Sequence, residues 1–170
     1  MKKSFTLIEL LVVMTITVIF VGVSLAGYNT FTEEVKLKNE AKKLIDVLEL
    51  AKKKASSGDL GKLTCNGGFL GYEVYILANN YTLNLRCAAA PISQLIATYN
   101  FPNSNISTLS GTGLFRFKQL TLGLEYKTNE AAVPSAPPTI QIKNSIISKC
   151  VNVTISTIGI VELDETLTPC

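Results

Sequence analysis

The chain of 170 residues contains no histidine and no tryptophan, and its formal net charge is only +3. Without histidine, neither a Ser-His-Asp triad nor a Cys-His pair can form, which excludes the enzymes that depend on them. Gly67, Gly68 and Gly71 lack the Lys-Ser/Thr pair that completes a phosphate-binding loop. The small net charge gives no electrostatic reason to expect a nucleic-acid partner. These absences predict that the chain is not an enzyme and needs no cofactor.

Charged side chains are also nearly missing from residues 5–28, where Glu9 is the single exception. As a helix, this run of 24 residues would be about 36 Å long, enough to cross a hydrocarbon core of roughly 30 Å. A carboxylate inside a bilayer costs several kcal/mol. A secretory signal peptide and a plain single-pass anchor are two alternatives, and neither explains why Glu9 is there. A third alternative is that Glu9 is an incidental polar residue near the interface, able to reach the headgroups or to be protonated.

The chain begins with a short basic leader, the small residue Ser4, the sequence Phe-Thr-Leu-Ile-Glu at residues 5–9 and then a long apolar run. This pattern resembles the class III signal of type IV pilins and type II secretion pseudopilins. The resemblance implies that a prepilin peptidase cuts between Ser4 and Phe5 and that the new amino terminus of Phe5 is methylated. It also implies that Glu9 neutralises the terminal amine of a neighbouring subunit during filament assembly. A buried charge is tolerable only when it is paired, which agrees with this role.

The chain departs from the usual family pattern at two points. The family usually has glycine where this chain has Ser4, and many members carry a proline in the apolar helix that is missing here. Cleavage efficiency and local melting of the helix in a filament therefore stay open.

Residues 29–57 are predicted to continue the same helix as an amphipathic segment. Apolar residues recur at alternating spacings of four and three and define one seam, while charged residues of both signs fill the other faces. Gly58 is the expected C-cap, because glycine adopts the left-handed conformation at a helix end without strain. The seam consists of Leu37, Ala41, Leu44, Leu48, Ala51 and Ala55.

The remainder of the chain is predicted to be a β-rich head. Short segments rich in β-branched and aromatic residues alternate with Gly, Pro and Asn, which favours an antiparallel sheet. The predicted strands are residues 72–77, 81–87, 96–101, 114–117, 139–143, 150–156 and 159–163. The predicted fold class is therefore α+β, with a long N-terminal helix packed against an antiparallel β-sheet head.

Four segments of the predicted head follow one another in a recognisable order: FRF at 115–117, TIQI at 139–142, CVNVTIS at 150–156 and GIVEL at 159–163. This order loosely resembles that of H-type minor pseudopilins and their minor-pilin relatives. Some of those relatives bind DNA through a basic C-terminal tail. Here Glu162, Asp164 and Glu165 make the tail acidic, so no specific nucleic-acid site is expected. Because they lack EF-hand spacing, these carboxylates are expected to face water and to hold no metal.

The four cysteines predict disulfides and export. Cys65, Cys87, Cys150 and Cys170 form an even set without CxxC spacing, and no histidine accompanies them, so a zinc site is not expected. Three pairings are possible, of which Cys65–Cys87 with Cys150–Cys170 closes the shortest loops. Disulfides persist outside the cytoplasm. They therefore place the head there, although the lysines that follow the apolar run slightly disfavour a cytoplasmic N-terminus.

These patterns divide the chain into a leader (1–4), a transmembrane and filament-core helix (5–28), its amphipathic continuation (29–57) and the head (58–170). We expect a structural subunit of a type IV pilus or pilus-like filament that polymerises with itself or with other pilins. Its further partners would be the prepilin peptidase and the assembly machinery. The subunit would cross the cytoplasmic membrane once before assembly and then join an extracellular or periplasmic filament. A monomeric, membrane-anchored extracytoplasmic binding domain is the alternative. A major or minor subunit, and a role in adhesion, motility, DNA uptake or secretion, all stay open.

Overall fold

The computed structural model describes residues 6–102, 104–119 and 123–170, and for residues 23–26 the backbone only. One helix, α1, covers Leu7–Ser57. Thr6 caps its start, with the Oγ1 atom accepting a hydrogen bond from the amide of Glu9 over 3.4 Å. Gly58 ends it in the left-handed conformation with φ of 64°. The predicted C-cap and the continuation of the helix beyond residue 28 are therefore confirmed.

The strands after the helix form two antiparallel sheets. A five-stranded sheet has the order β3-β2-β1-β5-β6, and a four-stranded sheet has the order β4-β7-β8-β9. The strands are β1 (Phe69–Ile76), β2 (Asn80–Cys87), β3 (Ser93–Asn100), β4 (Ile106–Ser110), β5 (Gly113–Lys118), β6 (Leu124–Lys127), β7 (Ile140–Asn144), β8 (Lys149–Ile155) and β9 (Val161–Pro169).

The two sheets are a difference from the single sheet that the sequence suggested. After β3 the chain leaves the first sheet, and β4 pairs with β7 rather than with β3. Each predicted strand overlaps an observed strand, whereas β4 and β6 were not predicted. The predicted fold class itself, a long N-terminal helix packed on antiparallel strands, is confirmed.

The core lies between the second half of α1 and both sheets. All six residues of the predicted seam are buried, with exposed fractions of 1% or less. They pack against the inward-facing apolar side chains of both sheets, which include Val74, Leu85, Phe115, Ile142 and Val153. Helix residues 37–55 are therefore part of the core of the head and not a separate stalk.

Two disulfides close the structure, which confirms the prediction that the cysteines are oxidised. Cys65–Cys87 joins the loop after α1 to the end of β2. Cys150–Cys170 joins β8 to the last residue of the chain, directly after β9.

Candidate assembly and membrane site

The first half of α1 is an apolar surface that the head does not cover. Leu7 is 84% exposed and Phe20 is 71% exposed, and the other large apolar side chains described between them are exposed as well. By length and composition this helix could cross a membrane, with a mean hydropathy of 2.5 in its most apolar window. Monomeric soluble proteins rarely leave so large an apolar patch in water. The surface therefore requires lipid or other apolar helices around it.

The hydroxyl groups of two threonines in this segment are satisfied within the helix itself. Thr15 Oγ1 donates to the carbonyl of Leu11 and Thr17 Oγ1 donates to that of Val13, each over 2.8 Å. Such bonds to the preceding turn leave no side-chain donor that needs water. Both threonines can therefore enter a dry environment at little cost.

Glu9 is the third residue of α1, and its side chain is exposed. Thr6 to Glu9 reads Thr-x-x-Glu, the sequence of a capping box, and the bond from the Glu9 amide to Thr6 is one half of that motif. A carboxylate in the first turn also interacts favourably with the positive end of the helix dipole. Sequence reasoning missed this local role, although the spacing of three residues between Thr6 and Glu9 carries the signal. Glu9 thus has two candidate partners: its own helix end and the terminus of another subunit.

The predicted cleavage and methylation residues, Ser4 and Phe5, lie outside the described residues. The structure begins with Thr6, and the roles of Ser4, Phe5 and Glu9 in processing and assembly therefore stay predictions.

Polar contacts at the base of the head fix the helix to the four-stranded sheet. Lys149 of β8 binds Glu34 at 2.6 Å, and the buried Asn144 of β7 donates to Glu33 Oε2 at 2.9 Å. Hydrogen bonds from Lys36 and from Asn144 hold the pKa of Glu33 below its ordinary value. Both carboxylates of the helix at this level are therefore compensated, and they set how the helix enters the head.

A second set of charges lies on the outer face of the five-stranded sheet. Glu73 of β1 is only 1% exposed and binds Arg116 of β5 at 2.6 Å, while Arg86 Nε lies 3.7 Å from the same carboxylate. Arg116 reaches on to Glu125 of β6 at 3.3 Å. Burial alone would raise the pKa of Glu125, but the hydrogen bond from Lys118 and the charge of Arg116 hold it below its ordinary value. The carboxylates and the basic groups of this cluster compensate one another's charges, so we interpret the cluster as a structural feature of the sheet.

The acidic residues predicted as a tail lie in β9 instead. Glu162, Asp164 and Glu165 are exposed, and Glu165 binds Lys42 of the helix at 3.1 Å. Asp164 accepts a hydrogen bond from the amide of Thr166. Within the described parts of the chain, no group of three or more His, Cys, Asp or Glu residues is placed to hold a metal ion.

Comparison with known families gives a match at the start of the chain. Residues 1–25 match the model described as the prokaryotic N-terminal methylation motif. Neither the curated proteins nor the solved structures include a significant match to the chain. The likeness of the head to H-type minor pseudopilins is therefore not confirmed.

Proposed function

Because this chain carries the N-terminal methylation motif of the type IV pilin and pseudopilin family, we propose that it is a structural subunit of a type IV pilus or a pilus-like filament. The observation that carries the proposal is the direct continuation of that motif into an apolar helix that its own head leaves bare. A bilayer covers such a helix before assembly, and the helices of neighbouring subunits cover it afterwards. The head, with its two disulfides, forms the outer surface.

In this proposal the prepilin peptidase cuts after Ser4, and the methylated amine of Phe5 becomes the positive chain end. Glu9 of one subunit pairs with that amine of another as the helix leaves the membrane. Removing one member of a buried ion pair typically costs about 3–5 kcal/mol, because it leaves the other charge uncompensated. The pair therefore sets the stagger between neighbours and penalises a subunit that stays single.

The capping box makes a sharp test possible, since glutamine serves at its last position as well as glutamate does. Glu9→Gln keeps the hydrogen-bonding shape of the helix start but removes the charge. Thr6→Ala removes the cap, which is worth about 1 kcal/mol, but keeps the charge. Both variants are expressed in the native host, and filaments are sheared from the cells and quantified. Mass spectrometry of each mature chain shows whether it begins at N-methyl-Phe5.

We expect Glu9→Gln to be processed and membrane-inserted but to lose more than about 90% of its filament signal. A tenfold loss requires only about 1.4 kcal/mol, which is less than the cost of breaking the buried ion pair. We expect Thr6→Ala to retain filaments. Normal filaments from Glu9→Gln would show that the charge is dispensable and that Glu9 serves its own helix. A wild-type chain that never enters a polymer would instead favour a monomeric membrane-anchored binding domain.

A further inference from the structure

The tip of the hairpin between β7 and β8 carries an exposed apolar residue beside the helix. Ile146 is 58% exposed in the turn of residues 145–148, and Ile147 beside it is half-buried. The turn is held in place because Asn144 Oδ1 accepts a hydrogen bond from the amide of Ile146 over 2.9 Å. A cleft of about 250 Å³ separates the turn from the helix, and its lining consists of Asn29, Thr30, Glu33, Ile146 and Ile147.

The position of this turn along α1 places it at the level of the lipid headgroups. A hydrocarbon core is spanned by roughly 20 helical residues. If these are counted from Leu7, the boundary of the core lies near Tyr28. Tyrosine at that point is typical of a membrane interface, and Tyr28 and Phe31 are both largely exposed. Glu33 is five residues further, about 7 Å higher at ~1.5 Å per residue, which is the thickness of one headgroup layer. The hairpin tip lies beside this short stretch.

The charges at the same level do not oppose contact with anionic phosphates. Glu33 is bound by Lys36 at 2.6 Å, and Glu34 is bound by Lys149 at 2.6 Å. An uncompensated carboxylate here would be repelled by the surface, whereas each pair is neutral and each lysine keeps two-fifths or more of its side chain exposed. The apolar tip, the aromatic residues and the paired charges thus lie at one level along α1, directly next to its membrane-crossing part.

We propose that the base of the head rests on the lipid bilayer before assembly, with Tyr28 and Phe31 at the level of the headgroups and with Ile146 inserted into the headgroup layer. The occupant is the lipid surface itself. The inference rests on the membrane anchoring in the proposed function, but not on polymerisation. A head held against the bilayer in this way cannot swing on its helix, so each subunit would meet the assembly site in one orientation.

The lack of native tryptophan gives a direct test. Ile146→Trp in the full chain, reconstituted into vesicles of phosphatidylethanolamine and phosphatidylglycerol, places a single fluorophore at the tip. The matched control is Ile158→Trp, also in a hairpin turn and 69% exposed. Ile158 lies beside Lys52 and Ser56, roughly 35 Å further along the helix from the membrane. Phe20→Trp reports insertion of the helix. Emission is recorded with plain lipids and with phospholipids brominated high on the acyl chain.

We expect the brominated lipids to quench Ile146→Trp and Phe20→Trp, with blue-shifted emission for both, and to leave Ile158→Trp unchanged. If Ile146→Trp behaves like Ile158→Trp while Phe20→Trp is quenched, the head stands away from the bilayer and the inference fails. Protection of Ile146→Trp from acrylamide without quenching by brominated lipid would identify a neighbouring protein chain and overturn it too. An unquenched Phe20→Trp would refute membrane anchoring itself, a result separate from the filament assay of Glu9→Gln.

Discussion

Glu73 is the most deeply buried charged residue described in the five-stranded sheet, and its surroundings show what one residue contributes. The inward-facing neighbours Tyr72 and Val74 build the core, while Glu73 points to the opposite face and meets Arg116 across the strand pair. A buried carboxylate in this position is tolerable only because two guanidinium groups surround it. The register of β1 against β5 is therefore fixed by charge on one face and by apolar packing on the other.

Glu73→Gln keeps the size of the side chain and removes its charge, so Arg116 loses its shortest ionic contact. We expect the free energy of unfolding to fall by about 2–3 kcal/mol, somewhat less than for a fully uncompensated charge because Glu125 still binds Arg116. Denaturant unfolding of the full chain in detergent measures this. The control is Glu130→Gln, which removes an exposed partner of Arg86 at 3.6 Å and should cost no more than about 0.5 kcal/mol. Equal stability of the two variants would show that the buried pair contributes nothing net.

The elements differ in how far the sequence predicts them. Alternation of polar and apolar residues located β1, β2 and β8, because each has one face on the core. The spacing of the seam located the buried face of α1, and Gly58 located its end. β4 and β6 were not predicted from the sequence because they are short and contain few large apolar residues.

Long-range pairing is the part that local patterns do not contain. The partner of β4 is β7, more than thirty residues later in the chain, and this pairing creates the second sheet. The contact between Glu73 and Arg116 spans 43 residues, so the buried charge cluster was equally invisible. At the candidate site the methylation motif was readable because its residues are contiguous, whereas the surface at Ile146 depends on a hairpin that returns to the helix from a distance.

The disulfide at the end of β9 gives a prediction for one element. In the Cys150→Ser/Cys170→Ser double variant, we expect a loss of about 3 kcal/mol in unfolding free energy, from the entropy of a loop of about twenty residues. The last residues of β9 should also exchange their amide hydrogens faster, because that end of the strand loses its covalent tie.

Cys65→Ser/Cys87→Ser is the matched control for that experiment, since its loop is of similar length, with a separation of 22 residues against 20. It should lower the global stability by a similar amount and leave local exchange in β9 unchanged. Faster exchange of β9 in both variants to the same extent would contradict a local role for Cys150–Cys170.

On the scale of the whole molecule, the first part of α1 is exposed and the second part is buried in the head. The change between the two lies within the helix rather than at its end. Residues 37–55 complete the core, while the described side chains before residue 28 are exposed. The change from exposed to buried side chains therefore falls between Phe31, which is 63% exposed, and the buried Leu37, and not at Gly58 where the helix stops.

Two truncations test this division. Removal of residues 1–28 should give a soluble, monomeric protein with native β content, because only bare apolar surface is lost. Removal of residues 1–57 should give an aggregating or unfolded chain, because it exposes the inner faces of both sheets. Size-exclusion chromatography and circular dichroism distinguish the two. A folded, soluble product from the second truncation would show that the sheets do not need the helix.

The unbroken course of α1 has a geometric consequence. Its 51 residues make a rod of about 76 Å, and the contacts of Glu33 and Glu34 clamp the head to it at one height and one angle. The helix therefore fixes both the distance and the rotation between Glu9 and the head. One residue inserted between Glu9 and Glu33 would rotate the head by about 100° around the helix axis and move it by about 1.5 Å along that axis. In the proposed filament, the arrangement of the buried helix starts would therefore also determine the arrangement of the heads on the outside.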